Sequence, residues 1–390
     1  MTKSTQELSP VELGERLKIA RETANLTQDA GAKAAGVART TLVAIEKGQR
    51  TARIEELQAL CRHYGISVNS LLRHEAVHVD LIPRFRSLPE TASEGIEQAA
   101  RTLNDLVRAE VELESVLGIQ RQRNYPAEKT IMPGDVRAQA EHDAQNLRNW
   151  LGLGEGPVQN LFALLELQLG IRIYSRKLAS SVSGLFAYDD ALGACILINA
   201  NHRRDRQTQT GGHELGHFIA TRRRPEVYQD EMHDNSREER YANAFGRAFL
   251  TPTRAVMEKF KELTTGATHL TRRHVILLAN YFGVSRQAIV IRLEELGLTK
   301  KGTWDWFKDN GGITDEQVRQ VLGVPEHDTN VDNPQSSRLY LLAIDAWKKD
   351  LISEGQMAEM LKLDRQRVRE LLDEAAAEED EADDLFKLHH

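Results

Sequence analysis

Residues 213–217 read His213-Glu214-Leu215-Gly216-His217, and 22 residues beyond His217 the chain runs Glu239-Arg240-Tyr241-Ala242-Asn243. Positions four apart on a helix share a face, so both imidazoles of the first stretch reach one ion. Glu214, beside the first ligand, is placed to activate a zinc-bound water. A two-histidine site needs a third protein ligand to hold a catalytic zinc. Glu239 is the candidate, because it opens a second helix whose inner face carries Ala242, Phe245, Phe249 and Leu250. Glu238 is the near rival. It leaves an ideal helix about 100° away, so only one of the two shares a face with Ala242. Asn243, one turn after Glu239, is placed to hydrogen-bond a ligand histidine.

Outward from this pair, the pattern predicts helices over 136–151 and 157–169. Short β-branched strands follow at 170–174, 184–188 and 194–199, with a turn at Asp189-Asp190. The motif helices are expected over 204–221 and 236–250, joined by a polar 221–238 loop that reads as a lid. Tyr228, His233 and Tyr241 are candidates for stabilising an oxyanion, and Arg222-Arg223-Arg224 reads as a solvated turn. A helical pair over about 270–296 follows, then further helices after Gly311-Gly312 and a polar linker at 326–336. The fold class is α+β: mainly α with a small β-sheet.

Toward the N-terminus, residues 11–73 read as short packed helices, and the stretch 26–48 carries the signal. Thr27 caps a helix beginning at Gln28, and Gly36 suits a left-handed turn before a second helix. Arg39, Thr40 and Thr41 fall on the exposed start of that second helix, where a helix-turn-helix reads base edges. Gln28, Lys47 and Arg50 are placed for phosphates. An amphipathic helix at 96–117 lies between head and body, and the 354–372 segment has helix-turn-helix spacing around Leu363.

The chain has 390 residues and a net charge of −7. Its 41% hydrophobic and 28% charged residues exclude disordered, collagen-like and disulfide-rich classes. Residues 1–75 hold eleven Lys/Arg against nine Asp/Glu, a slightly basic head on an acidic body. Two distant cysteines, Cys61 and Cys195, fit a reducing cytoplasm. No secretory signal is expected from the first twenty residues. Apolar runs of five or six residues fall far short of the roughly 18 that a spanning helix needs, so no membrane partner is expected.

The stretch from Leu13 to Leu72 resembles the phage-repressor-like XRE helix-turn-helix family through Leu26-Thr27-Gln28, Gly36-Val37, Ile45-Glu46-Lys47-Gly48 and Tyr64-Gly65-Ile66. It departs at Gly31, where a core leucine is usual, and at Ala38, where a capping serine is common. Both departures are expected to loosen the head. Residues 136–298 resemble the ImmA/IrrE family of gluzincin-like metallopeptidases. The HExxH helix is followed by the family's ExxAN-x-FA pattern at Glu239, Ala242, Asn243, Phe245 and Gly246, then by Phe249, Leu250 and Pro252. This half departs at Thr208-Gln209-Thr210-Gly211-Gly212, where Arg-Phe-Thr-Leu-Ala is frequent, and at Gly246 in place of alanine.

The resemblance implies a five-helix DNA-binding domain at 1–75, a helical linker at 76–130, a zinc peptidase at 131–300 and a helical C-terminal region at 301–390. It implies zinc on His213, His217 and Glu239, with Glu214 as the catalytic base. The implied partners are double-stranded operator DNA and a repressor-like protein substrate, with a homodimer allowed. A regulator or antitoxin whose zinc domain only senses or scaffolds is the alternative.

Overall fold

The computed structural model describes residues 9–24, 26–64, 66, 68, 71, 81, 94–223, 226–229, 236–323 and 337–382. The chain divides into two units, Met1–His78 and Val79–His390. In the first unit, α1 (Pro10–Thr23) opens on a capping box in which Ser9 and Glu12 exchange bonds. Helices α2 (Gln28–Ala34), α3 (Arg39–Glu46) and α4 (Ile54–Tyr64) follow. Thr27 caps α2 through Ala30 N, whereas Ala38 gives α3 no side-chain cap. Leu17, Leu42, Ile45, Leu57, Leu60 and Tyr64 form the core. A fifth helix is expected in this domain, and beyond α4 only Ile66, Val68 and Leu71 of this unit are described.

A side chain at Gly31 would meet the Tyr64 hydroxyl at 2.3 Å, so Tyr64 fills the space left by the family leucine. Its buried hydroxyl has no hydrogen-bond partner among the described residues. Burial, aided by Glu46, pushes that phenol up to about 12.

The second unit is built on a four-stranded mixed sheet ordered β1-β3-β2-β4. Its strands are β1 (Arg172–Arg176), β2 (Val182–Asp189), β3 (Gly193–Asn199) and β4 (Glu226–Gln229). Strand β1 runs parallel to β3, and the other pairs are antiparallel. Alternation along β3 sends Cys195 and Leu197 into one core and Ala194, Ile196 and Ile198 into another, so both sheet faces are covered. Both cysteines are buried and free, and burial raises their thiols to about 12 (Cys61) and 11 (Cys195).

One face carries α5 (Glu94–Leu117), which contributes Leu103, Leu106 and Leu113. The expected inter-domain helix thus lies within this unit's core. Beside it pack α15 (Ser337–Lys348), α16 (Glu354–Leu361) and α17 (Arg365–Ala382). The helix-turn-helix spacing around Leu363 is realised as the α16–α17 turn, with Lys362 left-handed at φ 54°, and it buries Leu361 and Val368.

The other face carries α6 (Val136–Trp150), α7 (Leu161–Ala163), α8 (Arg204–Ala220), α9 (Arg237–Leu250), α10 (Thr253–Leu263), α11 (Arg272–Phe282), α12 (Arg286–Glu295), α13 (Thr303–Asp309) and α14 (Asp315–Leu322).

Three local readings change. The expected 157–169 helix begins only after Asn160 and winds as a π-helix over Leu164–Leu169. The polar 221–238 stretch contains β4, which hydrogen-bonds to β2 as an edge strand. Helix α10 was not expected, although Val256, Phe260 and Leu263 recur at helical spacing. Residues 224–225, 230–235 and the 326–336 linker lie outside the described residues. Among the described residues, no single helix is long and apolar enough to cross a membrane.

Candidate metal centre and nucleic-acid interface

Helices α8 and α9 lie against each other with almost nothing between their backbones. A Cβ on Gly216 would stand 2.7 Å from the Ala242 Cα, and one on Gly246 would stand 2.7 Å from the Gly212 carbonyl carbon. Only small residues allow this approach. Its effect is to set His213 and His217 against Glu239, whose ligating atoms all lie within 4.8 Å of one another. Glu239 Oε2 is 3.5 Å from His213 Nε2, and Oε1 is 3.2 Å from His217 Nε2. Glu238, the rival, is not in this cluster.

The protons of the two imidazoles follow from their partners. His213 Nδ1 meets Asn243 Oδ1 at 3.1 Å, as expected of Asn243, and His217 Nδ1 meets Thr221 Oγ1 at 2.9 Å. The Thr221 hydroxyl donates to the His217 carbonyl at 3.4 Å, so its oxygen accepts from Nδ1–H. With protons on Nδ1, both Nε2 atoms present lone pairs, 3.0 Å apart. Burial, then the neighbouring His217, holds the His213 imidazole down to about 3, which disfavours an extra proton there. Converging lone pairs and a carboxylate in a buried site repel one another unless a cation lies among them. Two nitrogen ligands of a tetrahedral zinc, each at roughly 2.0–2.1 Å, stand about 3.3 Å apart, close to the observed spacing. The three side chains therefore fit a metal ion.

Glu214 is fully buried at the same helix level. Beside it, at the bulge in β2, Gly184 would place a Cβ 3.1 Å from Glu214 Oε1. The sheet thus comes up to the carboxylate with no side chain in the way. Tyr241 is a core residue: its hydroxyl donates to Asp143 Oδ2 at 3.0 Å across the α6–α9 contact. This leaves no oxyanion role for it. His233 and the side chain of Tyr228 lie outside the described residues. Arg222, expected in a solvated turn, is buried and stacks 4.2 Å from the Phe218 ring centroid.

In the first unit the six expected DNA contacts divide. Arg39 is 62% exposed and 3.8 Å from the still more exposed Asp29. Thr40 and Lys47 are exposed and Thr41 is half-buried. Gln28 instead donates to Glu46 Oε2 at 3.0 Å. Arg50 grips Glu56 through both oxygens, at 2.9 and 2.8 Å, and draws that carboxyl below its usual range. A phosphate would have to compete with those carboxylates for Gln28 and Arg50.

Residues 12–73 match the family model described as a helix-turn-helix domain, and residues 166–294 match the peptidase M78 model described as an IrrE N-terminal-like domain. The chain joins a helix-turn-helix domain to an IrrE N-terminal-like domain. No curated protein matches it. Among solved structures it is similar to ComR from Streptococcus suis, at 10% identity over 96% of this chain and 97% of that one, with a TM-score of 0.17.

Within the IrrE N-terminal-like domain, two departures from the family pattern turn out to be one contact. Gly212 and Gly246, each in place of an alanine, face each other across the α8–α9 crossing. Gly211, in place of leucine, makes room for Phe162 and Leu161. Two neighbours of the site escaped the sequence reading. Thr221 had a usable signal, since it lies four residues after His217 on the same face. Gly184 had none, because its proximity depends on the sheet.

Proposed function

We propose that this protein is a DNA-tethered, zinc-dependent peptidase of the cytoplasm that cleaves a repressor-like protein in a stress or phage response. The reading rests on one observation: two histidine Nε2 atoms and the Glu239 carboxylate converge in a buried site beside Glu214. His213, His217 and Glu239 would hold the zinc. When bound, zinc supplies Lewis acidity to a substrate carbonyl and acidifies water. Asn243 and Thr221 fix the ring orientations and keep the ligand nitrogens deprotonated. Glu214, as a buried carboxylate, takes the proton from the attacking water and returns it to the leaving amine. The helix-turn-helix domain would hold the peptidase near operator DNA through Arg39, Thr40, Thr41 and Lys47, with Gln28 and Arg50 steadying the reading helix.

The test is to incubate the zinc-loaded chain with co-encoded repressor proteins, with and without chelator, and read the products by mass spectrometry. Chelator-sensitive cleavage, abolished in Glu214→Gln, is expected. Zinc binding without cleavage of any repressor would replace the peptidase with a sensing or scaffolding domain.

A further inference from the structure

Helices α8 and α9 run antiparallel, since Gly212 faces Gly246 and Gly216 faces Ala242. Continuing that register sets Arg237, the first residue of α9, at the level of Thr221, which holds His217. The candidate metal centre therefore lies toward the end of the crossing where α8 finishes and α9 begins. An irregular strap, residues 125–134, ties both helices at that end. Lys129 N donates to the Ile219 carbonyl at 2.7 Å, and Arg222, just past α8, donates to the Pro126 carbonyl at 2.8 Å. Arg237 donates to the carbonyls of Met132 and Gly134, the latter at 3.4 Å from both terminal nitrogens. Gln139 of α6 steadies the strap between these points, accepting from Met132 N at 2.9 Å and donating to the Thr130 carbonyl at 2.8 Å. The strap precedes residues 166–294, which match the peptidase family model, so these bonds reach the site from outside the matched domain.

The first turn of α9 has a use for that tie. In α1, α11, α14 and α16 the capping Ser or Thr and the residue three positions on exchange bonds, which closes a capping box. In α9 Ser236 accepts from Glu239 N at 3.2 Å, but the Glu239 carboxylate is turned to His213 and His217. A carboxylate oriented as a ligand cannot also reach back to close the box. We infer that Arg237 is a positioning residue of the metal centre: its grip on the strap replaces the diverted half of the capping box and fixes Glu239 against the two imidazoles. The inference rests on the metal reading above and adds what sets the third ligand in place. A guanidinium suits the task, because its planar fork reaches two carbonyls at once where an ammonium is a point charge. The bonds of Arg237 to the strap go to backbone carbonyls, so its effect on the metal passes through Glu239. Arg272 offers a matched control. It too opens a helix, α11, and grips two carbonyls, those of Asn310 and Gly312, the latter at 2.7 Å. The three candidate ligands lie on other helices.

The test compares Arg237→Met, Arg237→Lys and Arg272→Met with the native sequence, all as full chains. Zinc affinity is measured by chelator competition, stability by melting temperature, and amide hydrogen exchange by mass spectrometry on the metal-free chains. Arg237→Met is expected to bind zinc roughly ten-fold more weakly. Arg237→Lys keeps a charged donor and should fall between that variant and the native chain. Arg272→Met should lower the melting temperature and leave zinc affinity unchanged. Without metal, exchange should quicken in Arg237→Met at Lys129 and over residues 239–242, and in Arg272→Met at neither place. Native zinc affinity in Arg237→Met, or an equal zinc loss in Arg272→Met, overturns the proposal and leaves the metal reading standing. So does unchanged exchange at the start of α9. A native chain that takes up no zinc overturns the metal reading and this role with it, whatever the exchange shows.

Discussion

Two clusters of ionisable side chains are buried on opposite faces of the same sheet, and they are built on opposite rules. On the α5 face, Arg121, Arg172 and Arg338 surround Glu110 and Glu114, with Glu166 close by. Arg172 holds Glu114 at 2.7 and 3.1 Å and donates to the Leu192 carbonyl, while Tyr174 donates to Glu110. Donors there answer acceptors. Burial, then repulsion from Arg172, lowers the Arg121 guanidinium to about 10, far above neutral pH, so it keeps its charge. On the α8 face, His213, His217 and Glu239 turn only acceptors toward one point. Both clusters are buried and both are ionisable. What separates a binding site from a brace is the imbalance of donors and acceptors, not the burial of charge.

The sharpest way to break this comparison is to remove a member of the unbalanced cluster. His217→Ala or Glu239→Ala should lower bound zinc from about one per chain to near background, while Glu214→Gln keeps it. Elemental analysis of the purified chains decides. Glu214→Gln should still lose roughly 10²–10⁴-fold in turnover. Full zinc occupancy in Glu239→Ala would move the third ligand to Glu238.

Removing a member of the balanced cluster should do the reverse. Arg172→Met strips Glu114 of its best partner in a buried site, which costs about 3–5 kcal/mol. Urea unfolding should report that loss, with zinc content unchanged in the chains that fold. Zinc lost from a well-folded Arg172→Met chain would mean that the two faces are coupled and the contrast is false.

The cluster of His213, His217 and Glu239 was legible in the sequence because each of its parts is local. Four-residue spacing places His213 and His217 together, one turn places Asn243 behind Glu239, and the helical wheel separates Glu239 from Glu238. What escaped depends on distant partners. Gln28 and Arg50 looked free for phosphate because Glu46 and Glu56 are acids whose approach no local spacing reveals. Strand β4 hid inside a polar stretch because an edge strand needs only one neighbour, and its residues Glu226-Val227-Tyr228-Gln229 hold little apolar alternation. The looseness expected from Gly31 is offset by Tyr64, which arrives from 33 positions away.

Gly246→Ala tests how the helix crossing serves the unbalanced cluster. It restores the residue usual in the family, yet its Cβ meets the Gly212 backbone at 2.7 Å. Helix α9 must shift, at about 1–3 kcal/mol, and Glu239 moves with it. The expected result is a lower melting temperature together with weaker zinc affinity in a chelator competition. A change in stability alone would show that the ligands tolerate the shift.

In the helix-turn-helix domain a related contrast separates exposed cations from side chains held by buried carboxylates. Lys47→Ala should weaken binding to all DNA alike and lower the slope of log affinity against log salt by about one. Arg39→Ala should also reduce discrimination between operator and random DNA. Arg50→Ala should leave that salt slope almost unchanged, since Glu56 already holds the guanidinium, and Gln28→Ala should do the same, since a neutral amide releases no counterion. A full unit of slope lost in Arg50→Ala would show that phosphate displaces Glu56. Electrophoretic mobility shifts across a salt series give all four slopes.

The smallest effect tests whether a balanced pair on the face that carries α8 is only a brace. Glu141 is gripped by Arg292 at 2.8 Å and through its other oxygen at 2.5 Å, and Arg292 also donates to the Thr251 carbonyl at 3.0 Å, just past the end of α9. Burial works to raise the Glu141 carboxyl, but the Arg292 hydrogen bonds and charge outweigh it and leave it below the ordinary carboxylate value. A carboxyl depressed in the folded state contributes stability that is fully present above the unfolded value and is lost as pH falls through the folded value. The gap in melting temperature between the native chain and Glu141→Gln should therefore be widest at pH 7, narrow below about 4.5 and close once the folded carboxyl is protonated. Zinc content at pH 7 should be the same in both chains. A gap that widens on acidification would reverse the assigned sign. Zinc loss in Glu141→Gln would make this pair part of the metal centre, although its donors and acceptors match.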